Sequence, residues 1–369
     1  MIKTIAFYLP QFHSFPENDK WWGKGFTEWT NTKKTVPQYR GHYEPRVPLN
    51  EYYYNLLDPK TFKWQVSLAK KYGVYGFCFY HYWFGEDKKL MYKPLENYLD
   101  DKSLDFPFCL SWANETWSRR WNGSEQDILI KQDYGNKDSW TKHFNYLLPF
   151  FKDSRYITVD NKPLFVLYKP EIFPEYEQMF SLWNKLAKQA GLSGLSFAIQ
   201  GAVWNNQSDV DDHMIDYRIM YEPGFTGTQP RSKKGVRFGI TSYYWKLRSF
   251  LNKQSNVEFR SYDAYCKNIL SRKVPSSKFI PGFFVNWDNT PRRGTNGSSF
   301  VGSTPEKFEK YFSALIRKTQ TEYHKEFVFI NAWNEWAEGC YLEPDEHFNY
   351  GYLEALRNAL KANKEFPDN

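Results

Sequence analysis

The sequence predicts a single (β/α)8 barrel, and three observations lead to this prediction. The chain has 369 residues, and barrels of this kind need about 250 residues and accept insertions up to roughly 400. Short apolar runs alternate with segments of helical periodicity, as in parallel strands joined by helical crossovers. No Gly/Ser-rich linker and no internal repeat divides the chain. We therefore expect residues 1–369 to form one domain.

The eight predicted strands are runs rich in β-branched and aromatic residues. They cover residues 4–9, 74–80, 106–111, 164–168, 195–200, 217–221, 279–285 and 327–330. Long loops are expected at their carboxyl ends. An open doubly wound sheet is the alternative, but it would need a glycine-rich phosphate loop after the first strand. The chain has Pro10-Gln-Phe-His13 there instead.

Helix signals lie between these strands. Asp58 followed by Pro59 is typical of a helix start, and Gly73 is typical of its end after about Lys71. Further helices are predicted at residues 93–99, 138–152, 174–190, 242–251, 305–319 and 352–362.

Composition narrows the class of partner. The net charge is +7 and the pI about 8.9, but the basic residues are scattered, whereas nucleic-acid binders gather them in a patch. Ordinary surface charge explains most of the basic residues, including short clusters such as Arg292-Arg293, and an anionic sugar or a diphosphate partner stays open as an alternative. Aromatic residues make up 20% of the chain, and many lie in polar surroundings, where their rings suit the apolar faces of sugars. The predicted partner is an oligosaccharide or polysaccharide, not nucleic acid.

Several other site classes are disfavoured by the motifs. Four cysteines lack CxxC spacing, and seven histidines form neither HxH nor HExxH, so no metal, cofactor or disulfide is predicted. A GxSxG elbow is missing from the sequence. Asp209-Val-Asp-Asp212 contains a DxD tripeptide of the kind found in nucleotide-sugar transferases, but this tripeptide is common by chance. Without a signal peptide or an apolar run of about 18 residues, we expect a cytoplasmic protein with no membrane segment.

The polar residues after the eighth strand form the main candidate site. Asn331-Ala-Trp-Asn-Glu-Trp-Ala-Glu-Gly339 places Glu335 and Glu338 three residues apart beside two tryptophans. A half-buried glutamate costs several kcal/mol unless it is paired, so this pair is unlike ordinary packing. Carboxylates at a strand end can protonate a leaving oxygen and act as base or nucleophile at a glycosidic bond.

Other strand ends carry similar residues and are predicted to bind the substrate. Loops at the carboxyl ends of barrel strands converge on one rim. The predicted substrate-binding residues are Tyr8, Glu28, Trp29, Tyr80, His81, Trp83, Asn114, Glu115, Trp117, Arg119, Trp121, Glu222, Trp287, Trp333 and Asn334.

Five strings resemble the WbsX-like family, which is related to glycoside hydrolase family 99, the endo-α-mannosidases and mannanases. They are Phe7-Tyr-Leu-Pro-Gln-Phe-His13, Gly25-Phe-Thr-Glu-Trp29, Gly76-Phe-Cys-Phe-Tyr-His-Tyr-Trp83, Ser111-Trp-Ala-Asn-Glu-Thr-Trp117 and the string that ends at Gly339. The resemblance implies a (β/α)8 barrel with a metal-independent, retaining site. It also implies that Glu335 deprotonates the 2-hydroxyl of the sugar, giving a 1,2-anhydro sugar, while Glu338 protonates the leaving group.

Two mechanisms and three functions stay open at this point. In the simpler mechanism, Glu115 is the acid/base and Glu335 a nucleophile about 5 Å away. The resemblance favours retaining cleavage of an α-linked bacterial polysaccharide or oligosaccharide. The alternatives are a transferase in O-antigen or capsular polysaccharide biosynthesis and a non-catalytic glycan-binding protein. Neither the sugar nor the oligomeric state follows from the sequence.

Overall fold

The computed structural model describes residues 1–118, 127–201, 213–227 and 256–367, and it confirms the (β/α)8 barrel. Parallel pairing runs around the whole ring, from the first strand to the eighth and back to the first. The strands are β1 (Lys3–Tyr8), β2 (Gly76–Trp83), β3 (Phe108–Trp112), β4 (Lys162–Leu167), β5 (Ser196–Gly201), β6 (Tyr217–Met220), β7 (Phe279–Ile280 and Gly282–Phe284) and β8 (Phe327–Asn331).

Strand β7 closes the barrel in two short pieces on either side of Pro281. Its first piece pairs with β6, and its second pairs with β8. Proline has no N–H to donate to a ladder, which accounts for the interruption. At Gly282 a Cβ atom would lie 1.9 Å from the carbonyl oxygen of Met220, so only glycine allows the two strands to approach this closely.

The helices surround this ring and bury their apolar faces against it. In chain order they are α1 (Pro16–Trp22), α2 (Glu28–Lys33), α3 (Pro59–Tyr72), α4 (Tyr92–Asp100), α5 (Lys137–Phe151), α6 (Tyr176–Gln189), α7 (Gly224–Gly227), α8 (Tyr262–Ser271), α9 (Thr290–Arg293), α10 (Pro305–Lys318) and α11 (Gly351–Ala362). None of the helices in the described part of the chain combines the length and apolar character that a membrane span requires.

Capping chemistry sets the boundaries of the predicted helices. The side chain of Asp58 accepts a hydrogen bond from the backbone N–H of Lys60, and Gly73 ends α3 with a φ of 89°, as predicted. Thr304 caps α10 in the same way, and Pro305 occupies its first turn. These signals are local, which is why the sequence predicts them well.

Three features of the fold differ from the prediction. Strand β2 extends to Trp83, so His81 and Trp83 are strand residues and not part of an exit loop. The loop predicted after β1 contains helices α1 and α2, and α8 was not predicted. The predicted helix at 242–251 and the DxD tripeptide lie outside the described residues.

Candidate active site

The carboxyl ends of the strands open into a cleft with a volume of about 650 Å³, within the range of ligand sites. Glu335 and Glu338, from the loop after β8, both line it. The end of β2 and the loops after β1, β3, β4, β6 and β7 form the walls. Chain segments that are far apart in sequence therefore meet at one face, as the barrel fold requires.

A tight turn carries the two glutamates. Asn334–Glu335 pairs with Cys340–Tyr341 in an antiparallel ladder, and the 3-10 turn Trp336–Glu338 lies between them. The turn closes at Gly339, which has a φ of 58°. A Cβ atom there would also lie 2.7 Å from a guanidinium nitrogen of Arg46. Glycine satisfies both requirements, so the carboxylates stand on a closed, packed turn.

Neighbouring strand ends hold this turn in place. The side-chain oxygen of Asn334 accepts a hydrogen bond from the Leu9 backbone N–H at 2.8 Å, and its amide donates to the Leu9 carbonyl at 3.1 Å. The backbone N–H of Asp288 donates to the Glu338 carbonyl at 2.6 Å. The carboxylate of Asp288 in turn accepts from His42 Nε2 at 2.6 Å. The turn is thereby anchored to both β1 and β7.

Glu335 lies in a desolvated environment. It is 6% exposed, and its Oε2 atom has no hydrogen-bond partner among the described residues. Burial raises the pKa of this carboxyl well above its usual range, and Glu338 and Glu28 raise it further while Arg292 lowers it. A group of this kind holds a proton at a pH where ordinary glutamates are ionised.

Arg292 bridges three carboxylates beside Glu335. It donates to Glu28 Oε1 at 2.9 Å, lies 3.7 Å from Glu335 Oε2 and forms an ion pair with Glu338 Oε1. Burial lowers the pKa of its guanidinium, but the three carboxylates outweigh burial and the pKa is raised. The interpretation of Arg292 as surface charge was wrong. It is 18% exposed at the side chain and lies at the centre of the cluster.

Four tyrosines line the cleft next to the glutamates: Tyr80, Tyr82, Tyr168 and Tyr221. The hydroxyl of Tyr80 donates to that of Tyr221 at 3.3 Å. Burial raises the pKa of all four, and neighbouring groups, chiefly carboxylates, raise it further. These phenols therefore stay neutral and can donate hydrogen bonds to a polar ligand.

Aromatic rings form one wall of the cleft. Trp117 packs edge-on against Tyr82 with ring centroids 5.2 Å apart, and Trp22 stacks on Phe26 at 5.7 Å. On the other side, the indole N–H of Trp287 donates to Glu338 Oε2 at 3.3 Å. Flat apolar surfaces beside polar groups suit sugar rings, which have apolar faces and polar edges.

Six of the residues predicted from the sequence line the cleft: Tyr80, Glu115, Trp117, Trp287, Glu335 and Glu338. Glu28 does not line it, but it contacts Arg292 directly. Glu115 forms an ion pair with Lys169 Nζ at its edge. Arg119 and Trp121 lie outside the described residues.

Three predicted tryptophans belong to the core and not to the cleft wall. Trp29 is buried, and its indole donates to the Tyr54 carbonyl at 2.8 Å. Trp83 stacks on His143 with centroids 4.5 Å apart, and Trp333 is fully buried beside Phe77. Their large apolar area explains the packing role. They do not line the cleft, and substrate binding by them stays a prediction.

Five further predicted residues are buried in hydrogen-bonded pairs away from the cleft. None of them lines the cavity, and buried polar groups need such partners, so substrate binding by these residues stays a prediction. The pairs are Tyr8 with Gln65 at 2.7 Å, His81 with His143 at 2.8 Å, Asn114 with the Lys169 backbone at 2.8 Å, Glu222 with Arg272 at 2.7 Å and Asn334 with Leu9 as above.

The sequence prediction missed several cleft residues. Tyr168 and Tyr221 directly follow β4 and β6, so the strand-end rule applied more strictly would have found them. Tyr82 lies between the buried residues His81 and Trp83 along β2, and side chains alternate between the two faces of a strand, so Tyr82 lines the cleft while its neighbours do not. Arg292 gives no local signal, because a basic residue in a loop is usually a surface residue.

One group of side chains in the described ranges has the spacing of metal ligands: His42, Glu44 and Asp288, with donor atoms within 4.8 Å of one another. Arg46 lies 3.1 Å from Glu44 and 3.8 Å from Asp288. His42 donates to Asp288, whose pKa is lowered to about 2 because His42 and Arg46 outweigh the effect of burial. Each member of the group therefore already has a hydrogen-bond or ion-pair partner, so we interpret the group as a support for the turn that carries Glu335 and Glu338.

Known proteins resemble this chain in both fold and sequence. The structure of an endo-α-mannosidase of glycoside hydrolase family 99 from Bacteroides thetaiotaomicron has a TM-score of 0.56 and 15% identity, covering 98% of this chain and 97% of that chain. A glycoside hydrolase-like protein has a TM-score of 0.57 and 13% identity, covering 100% and 94%. These matches show the fold.

Sequence relatives are more specific. The uncharacterized protein WxcX of Xanthomonas campestris pv. campestris is 34% identical over 359 residues, which is 96% of this chain and 49% of that protein. The chain thus spans about half the length of this relative. The profile of the family described as glycosyltransferase WbsX matches residues 4–356. The chain therefore belongs to the family described as glycosyltransferase WbsX.

Proposed function

We propose that the protein breaks a glycosidic bond in an α-linked bacterial oligosaccharide or polysaccharide and that Glu335 and Glu338 carry the reaction. The main support is the placement of both carboxyl groups in one cleft, bridged by Arg292 and faced by aromatic rings. Most enzymes that cleave glycosidic bonds use two carboxyl groups, one as the acid and the other as base or nucleophile.

In the first step, the Glu335 carboxylate takes the proton of the sugar's 2-hydroxyl. The resulting oxygen attacks the anomeric carbon, and a 1,2-anhydro ring forms as the bond to the leaving oxygen breaks. Glu338 gives its proton to that oxygen. The raised pKa of Glu335 supports its role as a base, since bases work best with a pKa near the working pH.

In the second step, the Glu338 carboxylate takes a proton from the acceptor. The acceptor oxygen bonds to the anomeric carbon, the anhydro ring opens, and Glu335 returns its proton to the 2-oxygen. The anomeric carbon is inverted twice, so its configuration is retained. Water as the acceptor gives hydrolysis, and a sugar hydroxyl gives transfer. The description of the family as a glycosyltransferase favours transfer.

The alternative in which Glu115 is the acid/base and Glu335 the nucleophile has less support. Glu115 is ion-paired with Lys169 at the edge of the cleft. Within the described ranges, Lys169 forms no ion pair with a second carboxyl group that could provide a proton. Glu338 shares Arg292 with Glu335, so a proton is available within the same cluster.

An NMR time course on a panel of α-linked oligosaccharides tests the proposal, with and without an added sugar acceptor. We expect loss of one glycosidic bond and a first-formed product of retained configuration. Glu335→Gln and Glu338→Gln should each lower the rate by about 10²–10⁴-fold. Binding of oligosaccharides by the unaltered protein with no turnover under any condition would contradict the proposal and favour a glycan-binding protein.

A further inference from the structure

The candidate site contains more negative than positive charge. Glu28, Glu335 and Glu338 surround one guanidinium, that of Arg292. Salt bridges to these three carboxylates come, within the described ranges, from Arg292 alone. Three ionised carboxylates against one cation would leave two uncompensated negative charges in a largely desolvated place, which is costly.

Among the described residues, no second cation forms an ion pair with the cluster. Arg260, which also lines the cleft, is ion-paired with Glu258. Lys169, on the β4 side of the cleft, forms an ion pair with Glu115. The phenols that face Glu335 from β2, β4 and β6 are neutral donors, with pKa values raised by burial and neighbouring charges: Tyr80, Tyr82, Tyr168 and Tyr221. A proton is then the remaining way to reduce the charge.

We propose that Arg292 is a positioning residue that fixes the cluster at one shared proton, which Glu335 holds in the free enzyme and Glu338 holds when the reaction begins. Only the last part, that Glu338 holds the proton when the reaction begins, rests on the proposed function. The number of protons and their place on Glu335 concern the free protein and follow from its contacts.

The contacts decide which carboxyl holds the proton before substrate binds. The nearest oxygens of Glu28 and Glu338 are in direct contact with Arg292, whereas Glu335 Oε2 lies 3.7 Å away. That atom is buried and has no hydrogen-bond partner among the described residues. Glu28 Oε2 is also buried without a partner, but the other carboxylate oxygen of Glu28 accepts from Arg292 at 2.9 Å. An unpaired buried oxygen is least costly when its carboxyl is neutral. Burial raises the pKa of Glu335 accordingly.

The same geometry lets the proton change place at little electrostatic cost. Arg292 lies within ion-pair distance of both Glu335 and Glu338, so it can compensate whichever of them is charged. Transfer of one proton from Glu335 to Glu338 leaves the net charge of the cluster unchanged. Substrate hydroxyls between the two carboxyls provide a route for that transfer, and Glu335 becomes the base that the first step requires.

Infrared spectroscopy of the free protein tests the proposal without any substrate. The carbonyl stretch of a protonated carboxyl group is recorded over a pH titration for the unaltered protein and for Glu335→Gln, and the difference isolates Glu335. We expect a protonated carboxyl that persists well above the ordinary glutamate pKa of about 4.3 and is missing from Glu335→Gln. Identical bands in the two proteins at neutral pH would overturn the proposal.

Arg292→Gln tests whether Arg292 determines the protonation of the cluster or only stabilises the structure. Without the guanidinium the cluster should take up a second proton, so its protonated band should grow and persist to a pH higher by about 1–3 units. Arg292→Lys keeps a point charge that cannot contact three carboxylates at once, so its shift should be intermediate. It also serves as the folded variant if Arg292→Gln does not fold.

Arg293→Gln is the matched control. Its side chain is exposed on the same short helix, and it takes part in no ion pair with Glu28, Glu335 or Glu338. Its carboxyl titration should equal that of the unaltered protein. Equal titration in the Arg292 variants, accompanied only by lower stability, would make Arg292 a structural residue and contradict the proposal. Since no turnover is measured, this result is independent of the substrate panel.

Discussion

Burial decides the chemistry of individual carboxyl groups in this protein. Glu335 and Glu343 are both buried, yet Glu343 accepts hydrogen bonds from Tyr54 at 2.8 Å, Trp336 at 2.7 Å and Gln65 at 2.7 Å. Burial raises the pKa of Glu343 to about 7, although these bonds lower it. In the described part of the chain, no such donors contact Glu335 Oε2, and Glu335 faces the cleft, which makes it available for proton transfer.

Glu343 should make stability fall as pH rises. Because its folded-state pKa lies above the ordinary value of about 4.3, the unfolded chain releases the proton first, and stability is lost between about pH 4 and pH 7. In Glu343→Gln, the melting temperature should fall less over this range than in the unaltered protein. Glu354→Gln, on an exposed face of α11, is the control. An unchanged slope in Glu343→Gln would refute the assignment.

Tryptophans were the hardest residues to assign from the sequence, because a binding platform and a core residue have the same side chain. Trp117 lines the cleft and Trp83 does not, though both lie near a strand end. The difference depends on which way each strand faces and where it ends, and β2 extends three residues beyond the predicted end. Arg292 is similar, since only the fold brings it to Glu28 and Glu338.

Trp117→Ala and Trp83→Ala should therefore have opposite effects. Truncation of Trp117 removes a stacking surface and should weaken oligosaccharide binding by about 1–3 kcal/mol with little loss of stability. Truncation of the buried Trp83 should cost about 3–5 kcal/mol of folding free energy. Calorimetric titration and denaturant unfolding measure the two quantities. Equal affinity loss with the two variants would place Trp83 in the binding surface.

At the scale of elements, the turn after β8 is the part on which the site depends. Its position comes from hydrogen bonds to neighbouring strand ends and not from its own contacts alone. The sequence predicted the strands well because their apolar runs and caps are local signals. It missed α8 and the break in β7, since a short helix and a single proline change the pattern only slightly.

Asn334→Ala should loosen this turn. The change removes two hydrogen bonds to Leu9 and leaves the N–H and C=O of Leu9 without these partners in a buried place, at a cost of about 2–4 kcal/mol. Activity should fall as well, because Glu335 is the next residue. Asn145→Ala, on the exposed face of α5, should leave the unfolding free energy unchanged. Wild-type stability in Asn334→Ala would show that the turn is held by other contacts.

At the scale of the whole molecule, barrel closure assembles the site. Glu28 follows β1, Arg292 follows β7, and the two catalytic candidates follow β8, so the cluster exists only when the first and last strands pair. The fold class could be predicted from strand and helix alternation. The contact between Glu28 and Arg292, 264 positions apart, could not, because no local pattern specifies such a long-range pair.

Gly282→Ala tests this dependence on closure. The added Cβ would meet the Met220 carbonyl at 1.9 Å, so β6 and β7 must move apart, at a cost on the order of 3 kcal/mol. Both stability and oligosaccharide turnover should fall. At Gly227 a Cβ atom would have only ordinary contacts, the nearest at 3.5 Å, and Gly227→Ala is the control. If Gly282→Ala had the melting temperature of the unaltered protein, the barrel would tolerate a wider separation of β6 and β7.

The different roles of Glu335 and Glu338 are the centre of this account, and leaving-group dependence tests them most directly. The measurement compares turnover of an aryl glycoside, whose leaving group needs no protonation, with turnover of the natural linkage in Glu335→Gln and Glu338→Gln. Glu338→Gln should regain most of its first-step rate on the aryl substrate, while Glu335→Gln should stay slow on both. Recovery of Glu335→Gln, or equal recovery of both variants, would contradict the assignment of Glu335 as base and Glu338 as acid.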